Sequence, residues 1–560
     1  MKYSDQIAIW LKENGFTHYF YVGGGNIMHL TESLSNHLTG IPVIHEVAAV
    51  IASEYFNAIS KNKKSLALVT AGPGLTNTIT GIAGSWLENR FTLIFGGQVK
   101  TTDLKNNSNL RQRGIQEING SELVKSICKV SERIDNPISK DDFLNLIDFG
   151  SRGKKGPILL EIQLDVQAVN VSSKILSSKK QKFDINNDNN NDFNKNLHLL
   201  FEKYSESKKP IILIGGGVNY NSAVQMNNLL PYSNVPLMTT YNGADRVDGN
   251  YKYYFGRPNT WGQRSSNILI QKSDLIIVFG SRLGLQQTGF NWQEFGRDAE
   301  IIQIDIDSHE LDKGHPKVEY KVQADCNSLL ISFLKQVEGI VKTDWLEYCT
   351  KVRSLIPRVE DINFTGDNYI SPYDFILNLE EISNEKDIII PCSSGSAFTL
   401  TMQLWNQKFG QRILTNKSLA SMGYGLSGSI GASIAFPEKR TILIEGDGGF
   451  AQNIQEIGTA KINNLNLKIF IFHDQGHASI RMTQKNYFKG KYLGCDFSSG
   501  LGLPDWTQVF KGWDINILNV NRNFHKNEHF LEKLNRCGKC GCPLPAKTRS
   551  LISNCPEGNW

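Results

Sequence analysis

Short apolar runs that stop at glycine recur along this chain, and they restrict its fold more than any other feature. "HYFYVGG", "SLALVTAGPG" and "RFTLIFGGQ" occupy the first third, separated by helix-like stretches such as "EVAAVIASEYFNAIS" and "TNTITGIAGSWLEN". "KPIILIGGGVN", "SDLIIVFGSRLG" and "AEIIQIDIDSHEL" follow, and "DIIIPCSSG", "RTILIEGDGG" and "LKIFIFHDQG" come last. Near-continuous apolar runs predict strands buried on both faces, and their alternation with helices predicts parallel sheets covered on both sides. A chain of 560 residues is too long for one core. The expectation is therefore α/β, with three doubly wound parallel-sheet domains: 1–175, 197–345 and 369–536. The polar, Asn-rich stretch 176–196 and the segment 346–368 read as linkers, and 537–560 as an atypical C-terminal segment.

The composition removes several function classes. A net charge of +5 on this length gives no case for nucleic acid. No run of about 18 apolar residues suggests a membrane span, and "MKYSDQIAIWLKENGF" reads as an amphipathic helix rather than a signal peptide. Most of the nine cysteines stand singly in apolar surroundings, which suits a reducing, cytoplasmic setting. Cys537, Cys540, Cys542 and Cys555 have a weak zinc-like spacing and are read as incidental.

"EGDGGFAQN" holds a carboxylate, Asp447, between Gly446 and Gly448 at a strand end. One reading is a dinucleotide turn, since Gly446, Gly448 and Ala451 fit G-x-G-x-x-[GA] and Asp474 ends the next strand. That places Asp447 beside a pyrophosphate with no cation between them. The second reading supplies one: Asp447 and Asp474 face one crevice and hold magnesium, with phosphate at the following helix N-terminus near Gly449 and Phe450. The plainest reading is a turn with Asp447 as a helix cap.

G-D-G with Asn453, followed after a strand by a polar pair, resembles the motif of the thiamin-diphosphate-dependent enzymes. "HEVAAVIASEYF", "VTAGPGLTNTITGIAGSWLEN" and "GGQVK" resemble the pyrimidine-binding domain of the acetolactate synthase-like, large-subunit-type branch. The resemblance implies pyrimidine-binding, central flavin- or nucleotide-type and diphosphate-binding domains, with thiamin diphosphate and Mg2+ as cofactors. It implies Asp447, Asp474 and the Gly476 carbonyl as metal ligands, and Glu46 as the catalytic carboxyl facing the coenzyme's pyrimidine. Where the family pair is Asn-Asn, this chain has His473-Asp474, which adds a negative charge.

The same resemblance places Gly23, Gly24, Gly72, Pro73, Gly74 and Asn77 near the coenzyme. Ser394, Gly395 and Ser396 fall beside its diphosphate, and Ala420 and Met422 beneath its bend. Gln112, Gln116, Arg481 and Gln484 are candidate substrate contacts. Gly216, Gly217, Arg282, Asp305 and Asp307 are candidate FAD contacts. The implied reaction is loss of carbon dioxide from a 2-oxo acid, pyruvate first, with the acyl unit passed to a second carbonyl. Runner-up readings are transfer to a nucleotide-linked keto-sugar in surface-polysaccharide synthesis, simple decarboxylation, and a non-catalytic relative. A homodimer or homotetramer with sites between subunits is implied as well.

Overall fold

A computed structural model describes residues 1–106, 108–171, 192–363, 365 and 370–535. The polar stretch 176–191, Tyr369 and the four C-terminal cysteines lie outside them. Three parallel sheets carry the chain. The first contains β1 (Phe16–Tyr21), β2 (Thr39–Pro42), β3 (Lys64–Val69), β4 (Thr92–Gln98), β5 (Val130–Ile134) and β6 (Pro157–Gln163), in the order 2-1-3-4-6-5. The second contains β7 (Pro210–Ile214), β8 (Leu237–Thr239), β9 (Leu275–Phe279), β10 (Glu300–Asp305) and β11 (Tyr320–Gln323), in the order 11-10-9-7-8. The third contains β12 (Ile388–Pro391), β13 (Arg412–Ile413), β14 (Thr441–Gly446) and β15 (Leu467–Phe472), in the order 13-12-14-15.

Period-2 alternation in each strand feeds a core on each face, which is what doubly wound means physically. In β3, Ala67 and Val69 join one cluster while Leu66 and Leu68 join another. In the second sheet Ile212 and Ile214 face away from Ile211 and Leu213. In the third, Ile388 and Ile390 face away from Ile389. Each such buried side chain contributes about 1.5–3 kcal/mol relative to exposure.

The first and third units share one core. The Glu46–Ile59 helix is apolar almost all round and packs against the Tyr424–Ala435 helix as well as against its own sheet. The helices meet closely: a β-carbon on Gly431 would lie 2.0 Å from the Ala52 carbonyl oxygen.

Two boundaries differ from the sequence expectation. The Phe193–Glu206 helix starts inside the expected linker, because Phe193, Leu197, Leu200 and Tyr204 recur at helical spacing and join the second core. The Thr343–Leu355 helix buries Trp345, Leu346 and Cys349 against β7 and β9, so the second unit runs past residue 345. Strands β2, β5, β6, β8, β11 and β13 lack the glycine-terminated apolar signature and were not expected individually. No helix among the described residues is long and apolar enough to cross a membrane. The five described cysteines are free and buried.

Candidate active site

In an open parallel sheet the binding crevice lies at the carboxyl edge, where successive connections leave in opposite directions. In the third sheet that point falls between β12 and β14. The loop after β12 brings Cys392 to Ser396, and the turn after β14 brings Gly446 to Phe450. The helical backbone starts at Asp447, three residues earlier than expected, and continues as a 3-10 segment to Glu456.

Asp447 is fully buried. Its Oδ1 accepts from the Gly448 N–H at 2.7 Å, and its Oδ2 accepts from the Gln475 N–H at 2.8 Å and lies 3.1 Å from His473 Nδ1. No Lys or Arg pairs with it among the described residues. Asp474 is pushed up to about 6, by burial and then by the Asp447 charge, so the two acids share one crevice. Arg481 donates to the Asp474 carbonyl at 2.7 Å and to its carboxylate at 3.2 Å. The Gly476 carbonyl joins them: a β-carbon on Gly448 would lie 3.0 Å from it and 2.3 Å from His477 Nδ1.

Around this oxygen-rich point, Gly395 (φ +78°) and Gly446 face open space, and Ser394 precedes the Gly395–Leu404 helix without bonding its first N–H groups, which suit phosphate. Among the described residues no three His, Cys, Asp or Glu side chains form an all-protein metal cage. Two carboxylates and one carbonyl do suit a hard cation that completes its shell with phosphate and water oxygens. The residues fit magnesium on a diphosphate. Gly449 leaves its missing β-carbon 3.2 Å from Glu445, whose buried carboxyl is pushed up to about 8. The Phe450 side chain packs on Trp506 and Phe510 in the core, which leaves its backbone as the part that can face phosphate.

The turn before the Tyr424–Ala435 helix leans on the same crevice. Ser393 donates to the Ser421 carbonyl, and Asn453 Nδ2 donates to the Gly423 carbonyl at 2.8 Å. Ala420 sits at φ +55°, and Met422 is 37% exposed. A large apolar side chain so open beside polar loops is available to a ligand or a second chain.

The second half-site lies at the switch point of the first sheet, between β1 and β3. Gly24 passes so close to Thr70 that a β-carbon would lie 2.4 Å away, while Gly23 faces open space. Gly72 is left-handed at φ +65° and a β-carbon there would strike Gln116, so glycine is required twice over. Pro73 opens the short helix that follows, and Asn77 ends it. Glu46 begins its helix after β2; its Oε2 accepts from Asn77 Nδ2 at 3.0 Å, and its Oε1 would lie 3.7 Å from a β-carbon on Gly74. Gln116 thus lies over the same turn as Glu46, whereas Gln112 is exposed and reaches the Glu117 carbonyl at 3.4 Å.

Sequence reasoning missed two organising acids. Glu456 accepts from the Ile44 N–H at 3.1 Å and the His45 N–H at 3.0 Å, tying the residues before Glu46 to the third unit; burial pushes its carboxyl up. Its signal was an acid nine residues past Asp447. Glu117 accepts from Lys105, Arg113 and Gly114 N–H groups and shapes the Gln116 loop; these backbone bonds hold its carboxyl below the usual range against the opposing effect of burial.

One expectation for a substrate contact is corrected. Gln484 is buried and spends both ends of its amide on Leu493. Arg481 stays partly exposed, with one nitrogen on Asp474 and another 3.8 Å from Asp496. In the central unit the residues read as flavin contacts also have protein partners. Gly217 packs against Gly280, with a β-carbon there 2.8 Å from its Cα, and Gly216 packs against Asn242. Asp305 accepts from the Asp307 N–H at 3.0 Å, and Asp307 pairs with Lys154. Arg282 donates to the Leu87 carbonyl and the Ser418 hydroxyl.

Three family models match this chain: the thiamine pyrophosphate enzyme N-terminal TPP binding domain over 1–123, the central domain over 199–334, and the C-terminal TPP binding domain over 393–543. The chain belongs to the thiamin-diphosphate-dependent enzyme family. Within it, this protein is acetolactate synthase-like. It is 26% identical to the acetolactate synthase isozyme 2 large subunit of Escherichia coli (strain K12), over 91% of this chain and 89% of that protein. It is 27% identical to the probable acetolactate synthase large subunit of Methanococcus aeolicus, over 88% and 83%. The chloroplastic acetolactate synthase of Arabidopsis thaliana is 25% identical over 87% and 72%.

Proposed function

We propose that the protein decarboxylates a 2-oxo acid, pyruvate in the first instance, and passes the acyl unit to a second carbonyl, using thiamin diphosphate and magnesium. When bound, the coenzyme supplies the carbanion chemistry that lets carbon dioxide leave. Asp447, Asp474 and the Gly476 carbonyl would hold the magnesium, and the Ser394–Ser396 loop the diphosphate. Glu46, kept in place by Asn77 and by the Glu456 link, would exchange a proton with the pyrimidine end. Ala420 and Met422 would set the coenzyme's shape, and Gln116 would face the substrate.

The observation that carries this reading is the pair of half-sites, each at a switch point. One is built around a half-buried glutamate, the other around a fully buried aspartate without a Lys or Arg partner among the described residues. Transfer to a keto-sugar stays the second reading: Gln484 is spent on Leu493, while Arg481 remains partly exposed beside Asp474. We also propose that the half-sites meet across two copies of the chain. Met422, Ile115 (86% exposed) and Phe497 (86% exposed) leave apolar surface beside them that a second copy would cover. We place no flavin in the central unit.

The test is carbon dioxide release from pyruvate with added magnesium and thiamin diphosphate. Release that depends on the coenzyme and collapses in Glu46→Gln supports the proposal. No coenzyme-dependent release from any 2-oxo acid tried would favour a non-catalytic relative. Sedimentation of the active species should give a dimer or tetramer, and a fully active monomer would refute the shared site.

A further inference from the structure

The turn 415–424 carries the two residues read as shaping the coenzyme, and it does not hold itself. Ala420 at φ +55° occupies a region that costs an alanine about 1–2 kcal/mol, so its surroundings must impose it. Its own unit supplies the Ser393 and Asn453 bonds described above. The other grips come from elsewhere in the chain. From the first unit, buried Glu54 accepts from Asn416 Nδ2 at 3.2 Å and from the Tyr424 hydroxyl at 2.7 Å. Arg90 bridges Glu54 and the Thr415 carbonyl, at 2.7 Å each. Glu88 accepts from the Ser418 N–H at 2.7 Å.

From the second unit, Arg282 Nη2 donates to the Ser418 hydroxyl at 2.6 Å while its Nη1 donates to the Leu87 carbonyl at 3.1 Å. Asn242 Nδ2 donates to the free oxygen of Glu88 at 2.5 Å. Lys313 donates to the Arg282 carbonyl. Ser418, two residues before Ala420, is therefore held by its N–H from one unit and by its hydroxyl from another. A planar guanidinium suits this place, because two fixed donors reach two acceptors on different units at once.

We infer that Arg282 and Glu88 are positioning residues for the coenzyme: they clamp Ser418 from the central and first units and so fix the turn bearing Ala420 and Met422. The central unit then serves as a brace for the site, using the arginine that the sequence alone offered to a flavin. This rests on the functional reading above.

The test compares unaltered protein with Arg282→Gln and Arg282→Lys, and with Arg297→Gln, which removes an exposed ion pair of the same unit. Two quantities are read: amide hydrogen exchange of 416–424 in coenzyme-free protein, and thiamin diphosphate affinity by calorimetry in excess magnesium. Losing a charged hydrogen bond at Ser418 should speed local exchange and weaken the coenzyme by about tenfold each in Arg282→Gln. Arg282→Lys, which reaches one acceptor, should lie between, and Arg297→Gln should match the unaltered protein. Unchanged exchange and affinity in Arg282→Gln would overturn the clamp, as would exchange that rises evenly along the whole chain. If the unaltered protein takes up no thiamin diphosphate, the functional reading and the coenzyme role fall together, and the exchange arm alone decides whether Arg282 holds the turn.

Discussion

Glu456→Ala removes a carboxylate that ties the start of the Glu46 helix to the third unit. Its Oε1 accepts from both Ile44 and His45 N–H groups, and its Oε2 from the Thr459 hydroxyl at 2.8 Å. Hydrogen bonds to a charged group contribute about 1.5–3 kcal/mol each, but two effects lower the total here. Burial raises the carboxyl's pKa, so desolvation offsets part of the gain. Ile44 is 52% exposed, so water can replace its lost acceptor. The net loss should be about 2 kcal/mol. Glu456→Gln keeps an oxygen at the Oε1 position and should lose about 1 kcal/mol or less. Because Glu46 directly follows His45, the alanine variant should also lower coenzyme-dependent carbon dioxide release by about tenfold or more, as small misplacements do. Urea midpoints and turnover of both variants check this. An alanine variant as stable and as active as the unaltered protein would show that Glu46 is positioned by something else.

Gly431→Ala should cost about 1–3 kcal/mol or more, since its methyl would meet the Ala52 carbonyl at 2.0 Å and push the shared helices apart; an unchanged melting temperature would refute that contact. Glu161 is buried, and burial pushes its carboxyl up to about 7 from 4.5. An acid raised in the folded state loses stability as pH rises between those values. Relative to Glu161→Gln the unaltered protein should therefore decline by up to about 3 kcal/mol from pH 4.5 to 8, and parallel profiles would refute it. Purified protein should show no flavin absorbance, because Arg282, Asp305, Gly216 and Gly217 all have protein partners; flavin bands that stay with the protein through purification would reverse that assignment.

The layers of the fold were legible because strand ends here are marked twice, by an apolar run and by glycine. β14 with Gly446 and β3 with Gly72 show both marks. β5 (VSERI) and β2 (TGIP) show neither, since they are short edge strands only partly buried, and the sequence was silent on them. Asp447 was legible because it stands at a strand–helix junction between two glycines, whereas Glu46, flanked by His45 and Val47, was legible only through the family resemblance of the apolar helix that follows it. Gln484 misled because an amide that bonds a loop nine residues away reads like one facing solvent. Glu456, Glu88 and Arg282 act across units more than 130 residues apart, and no local pattern encodes such a contact.

The central claim is that the Asp447 crevice holds magnesium and thiamin diphosphate. Calorimetric titration of the folded protein with thiamin diphosphate, with and without magnesium, tests it most directly. Saturable uptake that requires magnesium and disappears in Asp447→Ala is the predicted result. A folded protein that takes up no coenzyme in abundant magnesium, or takes it up equally well without Asp447, would contradict the account.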